Sequence, residues 1–306
     1  MTLTGILPLY KPKGVTSHDC VMMARRWLRT KKVGHTGTLD PEVTGVLVLC
    51  TGRATKVAEE LTGWDKTYEA VVALGKSTTT EDAEGEVVEE NQEALQRIRE
   101  QDIDEALQTF TGLIEQVPPM YSAVKVNGRR LYEYARAGET VERPKRSVTI
   151  QNMERLTPVS EDENGKYFRI RLTCSKGTFV RTVAVDIGRY LGVPAHMAQL
   201  ERTASGPFTT ADCVTTEDMD QTEKPGQRLL PVTDALQHLP AVALNETTAK
   251  QIGHGAVLDK ATLNTDQDKV LLTYKGEAMA VYATHPKQQS RLKPAIMIDP
   301  ELPGRA

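Results

Sequence analysis

Apolar and polar positions along this chain repeat in two rhythms. Between residues 68 and 74 every second side chain (Tyr68, Ala70, Val72, Leu74) falls on one apolar side. The same period returns at 167–174, where Phe168, Ile170, Leu172 and Cys174 oppose Tyr167, Arg169, Arg171 and Thr173. Both predict half-buried strands. Val180, Val183, Ala184, Ile187 and Leu191 instead follow helical spacing, stopped by Gly192 and Pro194. A second helix starts where Thr16 or Ser17 can cap it and presents Val21, Met22, Ala24, Arg25 and Leu28. Shorter helices are predicted at 56–61, at the end of 77–106 as far as Phe110, at 131–136 before Gly138, and from Asn245 to Ile252. Strands are predicted at 5–10, 270–274, 278–283 and 295–298, and 45–50 is an apolar segment. Strands and helices mix without a regular βαβ alternation, which places the chain in the α+β class with a mixed sheet.

At 306 residues the chain is long enough for two domains. Polar residues and Pro225-Gly226 mark 218–240 as a linker. Residues 1–238 then form one domain, and 239–306 a small β-rich module near the lower size limit for its own core. No apolar run approaches the ~18 residues that span a bilayer, and the first five residues lack the basic-then-apolar order of a signal peptide. Cys20, Cys50, Cys174 and Cys213 are scattered without a CxxC pair, which fits thiols in a reducing cytoplasm better than disulfides or a metal site.

The formal net charge is only −3, but its distribution is uneven. Residues 11–32 carry seven Lys or Arg against Asp19, and 120–146 carry seven against three Glu. Residues 77–106 hold eleven acids against Arg97 and Arg99. Two basic segments of this kind suit a polyanion, or are solvated faces and loops. One loop is built for chemistry: Gly34-His35-Thr36-Gly37-Thr38-Leu39-Asp40-Pro41 has two glycines, an imidazole and one carboxylate. Asp40 there is a nucleophile, base or ligand, or else the N-cap of a helix with Pro41 at its first position. His35 reads by default as a hydrogen-bonded spacer. Arg181 is a solvated cation, or one that holds a carboxylate or phosphate. Tyr68 and Leu200 read first as core.

That loop, with Lys11-Pro12-Lys13-Gly14-Val15-Thr16-Ser17 before it, resembles the bacterial tRNA pseudouridine synthase B family. The resemblance continues through Asp65-Lys66-Thr67-Tyr68, Pro119-Met120-Tyr121-Ser122-Ala123-Val124-Lys125, Arg129-Arg130-Leu131-Tyr132-Glu133-Tyr134-Ala135-Arg136 and Cys174-Ser175-Lys176-Gly177-Thr178-Phe179-Val180-Arg181-Thr182. It runs over about residues 5–210; Thr38 and Phe179 stand where small or aromatic alternatives are expected. The tail through Arg291-Leu292-Lys293-Pro294 is similar to a PUA RNA-binding domain.

The resemblance implies a mainly antiparallel central sheet with flanking helices, and isomerisation of uridine 55 in the tRNA T-loop to pseudouridine. It implies no cofactor, metal, membrane or protein partner; the expected state is a monomer. Asp40 is then the nucleophile, attacking the ribose anomeric carbon or uracil C6, and Arg181 its ion-pair partner. Tyr68 stacks on the uracil, Leu200 closes the pocket, and His35 fills the space left by the extruded base. Lys11 belongs to the first block and supports the site. An insertion at about 118–146 clasps the T-arm, which gives Lys125, Arg129, Arg130 and Arg136 a common task. The rival readings are a tRNA-binding chaperone in which Asp40 only caps a helix, and a nucleosidase that releases the base.

Overall fold

The computed structural model describes residues 3–299; Met1 and Thr2, which open the segment read for a signal peptide, and 300–306, the end of the β-rich module, lie outside the described residues. The chain forms two compact units. One comprises Glu42–Gly45 and Gly63–Ser205; the other comprises Met1–Pro41, Val46–Thr62 and Gly206–Ala306. This division cuts across the 1–238 and 239–306 boundary read from composition.

The 63–205 unit is built on strands in the order Ala195–Ser205, Lys66–Leu74, Gly165–Cys174, Arg146–Arg155 and Gly112–Gln116, each antiparallel to its neighbour. One pairing is parallel: Glu201 and Arg202 run beside Thr44 and Gly45. The sheet is therefore mixed and mainly antiparallel. Gly45 has φ +106°, and a Cβ there would overlap the Arg202 carbonyl, so this approach requires glycine. On one sheet face Ala70, Val72, Phe168, Ile170 and Leu172 pack under the helices Glu100–Thr109 and Val180–Leu191. On the other, Arg171 pairs with Glu69 and Glu154. This is the two-residue alternation read from the sequence. The Val180–Leu191 helix buries Val180, Val183, Ala184 and Ile187 and ends at Gly192 in the left-handed region, φ 72°.

The strand Ala195–Ser205 is absent from the sequence pattern. It pairs along the whole of Lys66–Leu74, but its register shifts between Met197 and Gln199 and again between Arg202 and Ala204. Each shift resets which side chains face the core, so no clean alternation survives in its sequence.

In the other unit the helix Ser17–Trp27 is capped by Thr16, whose side chain accepts from Asp19 N while the Asp19 carboxylate accepts from Thr16 N. Its buried stripe is Ser17, Cys20, Val21 and Ala24, packed with Leu7, Leu9, Leu47 and Leu49. Met22, expected on this face, is 49% exposed; one residue past Val21 it has turned about 100° away. The 218–240 stretch is not a linker. Just before it Tyr10 N donates to Val214 O; within it Ile6 and Leu230 exchange backbone bonds, and Met219, Val232, Ala235 and Leu236 are buried. Its polar residues are the outward halves of short helical turns.

Residues 239–299 carry their own sheet, ordered Ala241–Ala243, Lys269–Tyr274, Glu277–His285, Gln288–Met297, Leu258–Asp259. Its core holds Ala249, Ile252, Val270, Leu272, Tyr282 and Leu292, and Asn245 caps the helix Glu246–Gly253 as expected. Among the described residues no helix is long and apolar enough to cross a membrane.

Candidate active site

The Asp40 loop is fastened on both sides of the carboxylate. Leu39 is buried, and its N–H and carbonyl both bond to the Ser17 hydroxyl, at 2.8 and 3.1 Å. The Pro41 carbonyl accepts from Gly14 N and from Lys11 Nζ, both at 2.9 Å. Lys11 is wholly buried and also donates to the carbonyls of Pro12 and Val15. It is thus the cation that ties the Lys11–Gly14 turn to the loop. Between the two fastened neighbours Asp40 is exposed. No helix follows it: Pro41 and Glu42 form a turn leading into the strand Thr44–Thr51. The capping alternative is removed, because there is no row of helical N–H groups for the carboxylate to satisfy.

His35 ends the short strand Val33–His35, which pairs with Leu49–Thr51. Its Nδ1 accepts from Gly37 N at 3.3 Å, which places the proton of the neutral ring on Nε2.

Tyr68, Leu200 and Arg181 all lie in the 63–205 unit. Tyr68 lies opposite Leu172 on one side and Arg202 on the other, and Leu200 lies opposite Ala70. Tyr68 and Leu200 are half-buried and pack against the cluster that contains Val180, Val183 and Ile187. Arg181 occupies the first turn of that helix and is 7% exposed. Its Nη1 donates to Thr80 O at 2.9 Å and meets Asp82 Oδ2 at 3.3 Å; Nη2 donates to Tyr121 O at 2.9 Å. This forked geometry suits a guanidinium and not an ammonium.

Asp82 is the carboxylate that meets Arg181, a partner that sequence reasoning missed inside the acidic run. Its other oxygen accepts from Thr80 Oγ1 and Glu84 N, and Met197 N donates to Glu81 O in the adjoining bridge. Only a Thr-rich turn ahead of two acids marked it. Glu81, at φ 64°, accepts from Thr182 Oγ1 at 2.9 Å. Burial pushes the Glu81 carboxyl above its ordinary range, against that hydrogen bond and the nearby Arg181. Lys66, buried two residues before Tyr68, donates to Trp64 O. Burial, reinforced by the Arg202 charge, lowers its ammonium to about 8. Lys66, Arg181 and Arg202 are all buried in this unit.

The predicted basic insertion is a two-stranded hairpin followed by a helix. Lys125–Val126 pairs with Arg129–Arg130 through a turn of Asn127 (φ 52°) and Gly128 (φ 83°). The helix Leu131–Ala137 then ends at Gly138 in the left-handed region. Lys125, Arg129, Arg130 and Arg136 are all exposed. Arg129 lies 4.3 Å over the Tyr134 ring and 2.8 Å from Glu139, while Arg130 and Arg136 flank Tyr132 at 5.8 and 5.4 Å. Planar cations resting on tyrosine faces and open to solvent fit recognition of a folded RNA by phosphates and shape. Among the described residues no cluster of three His, Cys, Asp or Glu could hold a metal ion.

Residues 25–180 match the N-terminal domain of the TruB family of pseudouridylate synthases, and residues 181–237 match the tRNA pseudouridylate synthase B C-terminal domain. The chain is 52% identical over 301 residues to tRNA pseudouridine synthase B of Bacillus licheniformis, covering 96% of this chain and 97% of that protein. It is 49% identical over 303 residues to the Bacillus subtilis protein of the same name, covering 97% and 98%. Among solved structures it is similar to a chain of a Cbf5-Nop10-Gar1 complex, with TM-score 0.68 and 28% identity over 94% of this chain and 79% of that one. It is likewise similar to a chain of an H/ACA RNP bound to a substrate RNA containing 2'-deoxyuridine, with TM-score 0.67 and 25% identity over 96% and 84%.

Proposed function

Because the chain belongs to the TruB family of pseudouridylate synthases, we propose that it converts uridine 55 in the T-loop of tRNA to pseudouridine with Asp40 as nucleophile. One observation carries the reading: Asp40 is an exposed carboxylate between two pinned neighbours, on a loop that caps no helix. Fastening both flanks sets the carboxylate's position before substrate arrives, which is where orientation contributes to rate.

In the reaction the N1–C1′ bond of uridine breaks, the uracil turns in place, and a C5–C1′ bond forms. N1 gains a proton and C5 loses one, so atoms balance without an oxidant or reductant. The target is stacked inside the T-loop and must be extruded first, at a cost of a few kcal/mol. We assign Tyr68 to stack on the extruded uracil and to assist removal of the C5 proton. Leu200 closes the pocket beside it and His35 fills the vacated stack. Arg181 supplies positive charge to the reacting groups, held in orientation by Asp82 and two carbonyls. The 118–146 insertion, with Lys125, Arg129 and Arg130, grips the T-arm. Residues 239–306 serve as a PUA-like RNA-binding module and 1–238 as the catalytic domain, a reading supported by the separate sheet and core within 239–299. The chain works as a cytoplasmic monomer.

Incubation with an unmodified tRNA transcript tests the proposal. Pseudouridine at position 55 is the expected product. Free uracil would make the protein a nucleosidase, and unchanged RNA would leave a binding protein.

A further inference from the structure

The basic insertion leaves the sheet at Gln116 and returns at Arg146, and these two residues face each other as a cross-strand pair. Both also grip the turn from which the Arg181 helix starts. The Gln116 side chain is buried, at 1% exposure. Its Oε1 accepts from Phe179 N at 3.0 Å, and its Nε2 donates to Phe179 O at 3.2 Å. Phe179 is the N-cap of Val180–Leu191, and its own side chain makes no capping bond. The Gln116 amide therefore holds the N-cap residue by both its backbone groups, as the facing residue of a neighbouring strand would. Arg146 lies 5.0 Å over the Phe179 ring, with Nη1 3.5 Å from Gly177 O. Two residues further on, Arg181 Nη2 donates to Tyr121 O inside the insertion.

We propose that Gln116 is a positioning residue for the isomerisation: it locks the start of the Arg181 helix to the root of the RNA-gripping insertion, so that the seating of the insertion on RNA sets the guanidinium. The inference rests on the reading that Arg181 serves the reaction. Gln is required because the site needs a donor and an acceptor on one planar group. A carboxylate at this position would set a negative charge against the Phe179 carbonyl, and an apolar side chain would leave Phe179 N without its acceptor, although Phe179 O keeps the bond from Val183 N.

The test is single-turnover conversion of unmodified tRNA by the full-length protein, run beside tRNA binding and thermal unfolding. Q116M is expected to slow the chemical step about 10- to 100-fold, as small misplacements of catalytic groups do. Its tRNA Kd stays within about threefold of wild type. In an R181K background the same substitution costs less than about threefold, because the group it positions is already gone. Q116E covers the case in which Q116M does not fold. A protonated carboxyl has the same donor and acceptor pair as the amide, so Q116E is slow at pH 8 and recovers as the pH is lowered, with no parallel recovery in wild type. The inference is overturned if Q116M converts tRNA at the wild-type rate, if the loss lies in Kd alone, if the two substitutions are additive, or if Q116E shows no acid recovery. Absence of pseudouridine from the wild-type reaction would instead overturn the functional reading on which the inference stands.

Discussion

Asp82→Asn isolates the contribution of one buried charge to the orientation of Arg181. The Arg181 and Asp82 side chains are 9% and 17% exposed, with Nη1 and Oδ2 3.3 Å apart, so water screens the pair little. At an effective dielectric of about 20, unit charges at that distance attract by about 5 kcal/mol. The asparagine carbonyl oxygen can keep the bonds from Thr80 Oγ1 and Glu84 N. That choice turns the amide NH2 toward the guanidinium, setting donor against donor. The bonds to Thr80 O and Tyr121 O remain and hold part of the geometry, which brings the expected loss to about 2–4 kcal/mol. If Arg181 must be reoriented in the transition state at that cost, the single-turnover rate falls about 30- to 900-fold. Release of tritium from tRNA carrying 5-tritiated uridine measures the rate directly, and filter binding reports tRNA affinity, expected to stay within about threefold. A D82N protein that folds, binds tRNA and converts it within twofold of wild type would refute the argument that this carboxylate orients Arg181.

Three further outcomes follow from the geometry. Asp40→Asn should abolish turnover while tRNA binding holds, because only one oxygen of an exposed side chain changes; near-normal turnover would remove the nucleophile assignment. Replacing Arg129 and Arg130 together by Ala should weaken binding and flatten its salt dependence by about 0.7–0.9 of slope for each phosphate no longer neutralised, and an unchanged slope would take the insertion out of the interface. Burial raises the Glu81 carboxyl above its ordinary 4.5, so between 4.5 and the raised value the folded state binds more protons than the unfolded chain. Stability is then lost as pH rises through that window. Glu81→Gln keeps an acceptor for Thr182 and should raise the Tm relative to wild type at pH 7.5 but not at pH 4; an equal difference at both would show that titration of Glu81 is not the cause.

The sequence by itself determined whatever rests on interactions within a few residues. The Val180–Leu191 helix, its Gly192 stop, the Thr16 and Asn245 caps and the strand Lys66–Leu74 were legible because periodicity and capping act over one or two turns. The Asp40 loop was legible as an unusual grouping of glycines, an imidazole and a carboxylate, but composition left both helix cap and nucleophile open. Tertiary structure removed the helix cap by sending the chain from Pro41 into a turn and a strand. It also drew Asp82 out of an acidic run, because the partner that matters, Arg181, lies 99 positions away. It gave Gln116 a role across 63 positions, and folded a polar stretch onto the Gly5–Lys11 strand where composition pointed to a linker. Those outcomes depend on which distant groups a buried amide or carboxylate must satisfy, and no local pattern encodes that choice.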